Sequence, residues 1–171
     1  MMEIETIGLQ ALPEVTQFYA EVTSDLRKKG IHQWDRFYPN RFIMKRDLKS
    51  GTLFGFKEEN QLIGAVVLNK DESKQYRKLQ WQDHSGRPLI IHRLAVHPLH
   101  QGKGLGKRLL TFAEEYAFKK SYSSIRMDVY SQNPGAVGMY ESAGYQVRGT
   151  ITFPFRKVPY YCFEKMIQVI D

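Results

Sequence analysis

Between Ala11 and Lys29, apolar residues fall at Leu12, Val15, Phe18, Tyr19, Val22 and Leu26, the spacing of one helical face, and Gly30 supplies a stop. Gly30 to Lys49 carries Trp34, Phe37, Tyr38, Pro39 and Phe42 and predicts a turn followed by a short helix. Thr52 to Phe56 and Leu62 to Leu68 are strand-like runs, and the polar Glu58-Glu59-Asn60-Gln61 between them predicts a hairpin. Asn69 to Gln80 is polar and reads as a loop. The apolar run from Leu89 to Val96 predicts a strand that His97-Pro98 stops. Gln101 to Gly106 is a glycine-dense turn opening a helix with Leu105, Leu109, Phe112, Ala113 and Tyr116 on one face. Ile125, Met127 and Val129 alternate with Arg126, Asp128 and Tyr130, the period of a further strand. Asn133-Pro134 is an N-cap with proline in the first helical turn, and the short helix runs to Ala143 before Gly144. Tyr145 to Phe153 and Val158 to Ile167 predict two closing strands. This order predicts a mixed α/β sheet layered with helices, in a single domain over residues 1–171. The chain shows no repeat, low-complexity tract or linker.

Composition narrows the class. A chain of 171 residues is long enough to bury a core without disulfide or metal staples. Its one cysteine, Cys162, excludes an intramolecular disulfide framework and a cysteine-based zinc site, and suits a reducing cytosol. The first ten residues carry Glu3 and Glu5 and lack a basic-then-apolar signal pattern. No apolar run approaches the ~20 residues of a membrane helix. A soluble, cytoplasmic protein with no membrane partner is expected. Lysine and arginine number 25 against 18 acidic residues, a formal charge of +7. That charge alone would suit nucleic acid or a phosphorylated ligand. The basic residues are scattered among acidic ones, however, without the basic stripe and interleaved aromatics of a nucleic-acid surface, so no nucleic-acid partner is expected.

The informative stretch is the strand Leu94-Ala95-Val96 with the turn Gln101-Gly102-Lys103-Gly104-Leu105-Gly106-Lys107-Arg108. Glycines let a backbone bend until several N–H groups converge on one anion, and a helix start adds free N–H groups and the positive end of its dipole. Such a turn suits a phosphate or diphosphate. The triphosphate loop G-x-x-x-x-G-K-[ST] fails here, because Gln101 stands at its first glycine and Arg108 follows Lys107. The dinucleotide pattern G-x-G-x-x-G fails at Lys107 and would belong early in the chain.

Gln101-x-x-Gly104-x-Gly106 after that strand resembles the [RQ]-x-x-G-x-[GA] signature of the GNAT acyltransferase superfamily. Asn133-Pro134-Gly135-Ala136-Val137-Gly138-Met139-Tyr140-Glu141-Ser142-Ala143-Gly144-Tyr145 is similar to that family's second motif. The resemblance implies a mixed, mostly antiparallel central sheet of about six to seven strands with helices on both faces. It also implies transfer of an acetyl group from acetyl-CoA to a primary amine of a small molecule, amino acid or peptide, by direct attack in a ternary complex. Main-chain amides from Gln101 through Gly102, Lys103, Gly104, Leu105, Gly106 and Lys107 would hold the CoA diphosphate. Lys103, Lys107 and Arg108 either neutralise its phosphates or are solvated surface charges. The backbone of Leu94, Ala95 and Val96 would pair with pantetheine and polarise the thioester carbonyl. Asn133 would cap its helix and touch the cofactor.

Collapse of the tetrahedral intermediate releases a thiolate, and by the resemblance Tyr140 protonates it; as a plain structural residue it would be packing. The family commonly places an acidic base on the fourth strand. This chain departs there with His92, whose imidazole is a workable base near neutral pH or a hydrogen-bonded strand histidine. Asp128 and Glu141 are acidic alternatives. Cys162 sits in an apolar strand pattern and reads as filler. His92, His97 and His100 match no metal-ligand spacing, so no metal is expected. Trp34, Phe37, Tyr38, Phe153, Phe155, Tyr160 and Tyr161 lie in regions that in the family face the acceptor, although most read as core. A CoA-binding sensor without turnover and a nucleic-acid module are the competing classes. A homodimer is compatible with the sequence.

Overall fold

The computed structural model describes residues 2–168. Its strands are β1 (Glu5–Thr6), β2 (Leu53–Glu58), β3 (Gln61–Asn69), β4 (Pro88–Val96), β5 (Ser124–Tyr130), β6 (Gln146–Ile151) and β7 (Tyr160–Met166). Its α-helices are α1 (Leu12–Lys28), α2 (Arg41–Lys49), α3 (Leu105–Lys119) and α4 (Pro134–Ser142). The strands form one sheet in the order β1-β2-β3-β4-β5-β7-β6. β4 and β5 run parallel, whereas the β1–β2, β2–β3, β5–β7 and β6–β7 pairs are antiparallel. The sheet is mixed, as the element order predicts, and mostly antiparallel, as the family resemblance implies. β1 has no sequence signal, because two residues cannot display a period.

The chain gathers into two compact units, Met1–Leu68 with His92–Phe112, and Asn69–Ile91 with Ala113–Asp171. In the first, α1 buries Leu12, Val15, Phe18, Tyr19 and Val22. They join Met44 and Leu48 of α2 and Leu53, Leu62, Ala65, Val67 and Ala95 of the strands in one cluster. The opposite side of the β2–β3 ribbon meets the start of α3, where Phe54 packs on Phe112 at 5.3 Å between ring centres. Burial of both faces explains why β3 reads as a continuous apolar run. Each such side chain removed from water contributes about 1.5–3 kcal/mol.

In the second unit, the polar positions that alternate along β5 are covered in the structure. Arg126 is only 6% exposed. Its Nε donates to Glu164 at 3.1 Å, Nη1 to Glu72 at 2.9 Å and Nη2 to the Asp83 carbonyl at 2.8 Å, and the guanidinium lies over Trp81 at 4.4 Å. The predicted loop from Asn69 to Gln80 and the residues that follow it to Asp83 supply most of this cover. The loop contains a 3-10 turn at Lys74–Lys78 that buries Tyr76, and it covers β5 with aromatic and acidic groups. β4 pairs with β5 from Pro88↔Ser124 to Ile90↔Arg126. At the edge of the sheet, the register of β6 against β7 shifts between Val147 and Gly149.

Candidate active site

The end of β4 is held in place before the glycine turn begins. The His97 N–H donates to the Ile63 carbonyl at 2.8 Å, and its Nε2 lies 2.5 Å from Oε2 of Glu21 on α1. Nδ1 of the same ring accepts from the Leu99 N–H at 3.2 Å and caps the turn Pro98–His100. Gln101 then folds back: its Nε2 donates to the Val96 carbonyl at 3.0 Å, and its Oε1 accepts from Lys29 at 3.3 Å. The glutamine of the motif is thus a clip between the strand, its turn and the end of α1.

Gly102 and Gly104 both adopt φ +78°, and a Cβ at either would meet nothing within 4 Å. Gln101, Gly102, Lys103 and Gly104 are exposed, so the turn lies open. Leu105 is buried and roots the first turn of α3, which carries no acidic residue. Left-handed glycines running into a helix start form the kind of concavity in which N–H groups collect around an anion. Gly106 is half-buried, and Lys103 and Lys107 are exposed. Arg108 is committed elsewhere: it donates to the Met2 carbonyl at 2.6 Å and lies over Phe56 at 5.6 Å.

Upstream on β4, Arg93 adopts φ +48°, a region costly for any residue with a Cβ. Three groups hold it there. The Tyr19 hydroxyl donates to its carbonyl at 2.8 Å, its Nη1 donates to the Tyr38 hydroxyl at 2.9 Å, and its Nη2 meets Asp47 of α2 at 2.5 Å. The Arg93 and Asp47 side chains are 5% and 2% exposed. Burial pushes the guanidinium pKa down, but Tyr38, Asp47 and Tyr19 outweigh it and keep the cation charged. Burial raises the Tyr19 phenol above its usual value. Around this point His92, Leu94 and Val96 are half-buried, and Ala95 is buried in the core against α1. Sequence reasoning passed over Arg93, Asp47 and Tyr19. The available signal was a cation inside the apolar run from Leu89 to Val96.

In the second unit, Asn133 caps α4 by accepting from the Ala136 N–H at 3.2 Å, as its sequence context predicts. Tyr140 is 5% exposed, edge-on to Tyr145 at 5.8 Å and tilted over Phe163 at 5.9 Å. Burial, with the Asp128 charge adding to it, holds the Tyr140 phenol above its ordinary pKa, so it keeps its proton through the neutral range. Asp128 is half-buried on β5 and accepts from the Tyr76 hydroxyl at 2.7 Å. Glu141 is exposed. Burial, again with Asp128, pushes the Cys162 thiol up to about 12, which keeps it un-ionised. Of the aromatic candidates, Trp34 is core against Tyr19, and Tyr160 is buried between Tyr130 and Phe153. Phe37 and Phe155 are exposed. Among the described residues, no group of three acidic, histidine or cysteine side chains could hold a metal ion, and no helix is long and apolar enough to cross a membrane.

The sequence profile of the acetyltransferase (GNAT) family matches residues 15–145. The chain belongs to that family. The matched span runs from α1 through the glycine turn to the end of the α4 motif. The N-acetyltransferase YesJ of Bacillus subtilis is 29% identical over 177 residues, covering 97% of this chain and 96% of the relative. A GNAT-family acetyltransferase from Streptococcus agalactiae superposes with a TM-score of 0.84 at 20% identity, over 98% of this chain and 96% of the other. The acetyltransferase yncA of Salmonella typhimurium, solved with its cofactor acetyl-CoA, has a TM-score of 0.67 at 17% identity, over 98% and 94%. In this GNAT chain both motifs thus sit on the elements the sequence assigns them, the first leading into α3 and the second on α4.

Proposed function

We propose that this GNAT acetyltransferase, acting as one catalytic domain, moves an acetyl group from acetyl-CoA to a primary amine of a small molecule, amino acid or peptide in the cytoplasm. The amine attacks the thioester directly within a ternary complex. The observation that carries this reading is the open glycine turn after β4, with Gly102 and Gly104 left-handed and unobstructed at the start of α3. Its amides from Gln101 to Lys107 bind the CoA diphosphate, and exposed Lys103 and Lys107 add positive charge. Arg108, tied to Met2 and Phe56, is left out of that role.

The backbone of Leu94, Ala95 and Val96 pairs with pantetheine and polarises the thioester carbonyl, which strengthens as charge develops on oxygen. Tyr140, kept protonated by burial, donates its proton to the departing CoA thiolate, whose own pKa lies near ~8.5. Asn133 fixes the start of the helix that carries Tyr140 and contacts the cofactor. His92, half-buried on β4, takes the proton of the attacking ammonium, whose pKa near ~10.4 otherwise keeps it charged and non-nucleophilic. No metal takes part in these steps.

Calorimetry of the purified chain with acetyl-CoA tests the reading, followed by thiol release with a panel of amines. Saturable binding and acceptor-dependent thiol release are expected. A chain that binds neither acetyl-CoA nor CoA overturns it, and binding without release on any amine turns it into a sensor.

A further inference from the structure

The second unit contains a cavity of about 1100 Å³ where the segment from Leu79 to Pro88 passes the start of β5 and Arg148 of β6. None of its described lining residues belongs to the turn from Gln101 to Lys107 or to Leu94–Val96, so the cavity lies outside the acetyl-transfer reading. Its volume suits a small organic molecule rather than a bare ion. Four cations, Lys70, Arg87, Arg126 and Arg148, line it against two carboxylates, Glu72 and Asp83.

Both carboxylates are already engaged. Glu72 accepts from Nη1 of Arg126 at 2.9 Å. Buried Asp83 accepts from the hydroxyls of Ser123 at 2.5 Å and Ser124 at 2.6 Å and from the Ser85 N–H at 2.9 Å. Two of the cations are engaged as well, because Arg126 and Arg148 meet buried Glu164 at 3.1 and 3.3 Å. Lys70 and Arg87 differ. Among the described residues neither forms an ion pair, and both lie 5.8 Å from the centre of one ring, that of Tyr122. Arg87 is braced there: its Nε donates to the Ser121 carbonyl at 3.0 Å and its Nη2 to the Lys120 carbonyl at 3.4 Å, which leaves Nη1 uncommitted. Lys70 is exposed on a long flexible stem. Two like charges gathered at one ring repel each other, and an anion of two charges offsets both.

We infer that this cavity binds a small phosphate monoester, with its phosphate held by Lys70 and Arg87 beside Tyr122. At neutral pH such a group carries about −1.5 to −2 charges on three acceptor oxygens, which matches an ammonium and a guanidinium edge together. The organic part of the ester lies along Leu79 and Trp81, both half-buried in the lining. Inorganic phosphate satisfies the cations but leaves that apolar wall and most of the volume unfilled. A sulfonate brings only one charge to two cations.

The test is calorimetry of the full chain with phenyl phosphate, inorganic phosphate and benzenesulfonate, in wild type, in Lys70→Gln/Arg87→Gln and in Gly104→Glu. Phenyl phosphate is expected to bind wild type saturably and at least tenfold more tightly than either comparison anion. The double variant is expected to weaken that binding about tenfold or more, and Gly104→Glu to leave it unchanged. Lys70 and Arg87 are both exposed, so folding is not at stake. Of the two tryptophans, Trp81 lines the cavity and Trp34 belongs to the core of the first unit. Phenyl phosphate is therefore expected to shift the indole N–H resonance of Trp81 and not that of Trp34. Absence of saturable binding, equal affinity for either comparison anion, an unmoved Trp81 resonance, or an unchanged affinity in the double variant overturns the inference. Binding lost in Gly104→Glu overturns it too, by placing the phosphate on the glycine turn.

Discussion

β4 and the turn after it both place backbone in the left-handed region, and they use it in opposite ways. At Gly102 and Gly104 there is no side chain, no obstruction and open solvent. At Arg93 there is a long side chain, burial, and a partner for each end of the residue. The glycines have the conformation without strain and leave room for a ligand to approach the main chain. Arg93 carries a strain of roughly 1–2 kcal/mol, which its surroundings must offset. The same backbone geometry is thus a vacancy in one place and a clamp in the other. The first leaves the main chain open to approach, as the proposed cofactor site requires, and the second holds a strand rigid beside it.

Four substitutions break or sharpen this contrast. Gly104→Glu introduces a side chain at φ +78° and a negative charge at the turn proposed to bind phosphate. It is expected to abolish acetyl-CoA binding by calorimetry while circular dichroism stays that of the wild type, because the new Cβ has free space. An unchanged affinity would remove the turn from the cofactor site. Asp47→Ala strips the buried Arg93 of its carboxylate and is expected to cost about 3–5 kcal/mol in urea unfolding. A loss under 1 kcal/mol would mean that Tyr38 and Tyr19 suffice for the clamp.

Tyr140→Phe is expected to lower kcat about a hundredfold with little change in acetyl-CoA affinity. Since burial raises the phenol pKa, wild-type kcat should show no downturn from Tyr140 below about pH 10. The sign follows from the direction of the shift: the proton is held below the ordinary pKa and for some way above it. A downturn near pH 8 that vanishes in Tyr140→Phe would contradict this. Gly104→Ala is the mildest change. It should cost about 1 kcal/mol of stability through backbone strain alone and weaken acetyl-CoA far less than glutamate does.

The parts that the sequence made legible are those whose residues are neighbours in the chain. The turn from Gln101 to Gly106 and the capped helix from Asn133 to Gly144 announce themselves through glycine, proline and cap residues within a few positions. The Arg93 cluster joins residues 19, 38, 47 and 93, and no local spacing links them. A cation in an otherwise apolar strand is the only trace they leave. Arg126 shows the same limit from another side: period-two alternation registers that a residue is polar, but not that a distant loop covers it with Glu72, Trp81 and Asp83. The resemblance gives Gln101 a role only through its amide, whereas its side chain is the clip from Val96 to Lys29. The role proposed for Tyr140 rests on resemblance, whereas that for His92 rests on imidazole chemistry at a strand position where the family commonly has an acid.

The irregular outer strand has one further consequence. β6 ends the sheet, and its ladder slips between Val147 and Gly149, with Arg148 in the slip paired inward to buried Glu164 at 3.3 Å and bonded at the surface to Gln82 and Gln146. A strand from a second molecule needs a flat, unbroken row of amides to continue a sheet. The kink and its guanidinium deny it that template, so this border of the sheet is poorly suited to growth by strand addition.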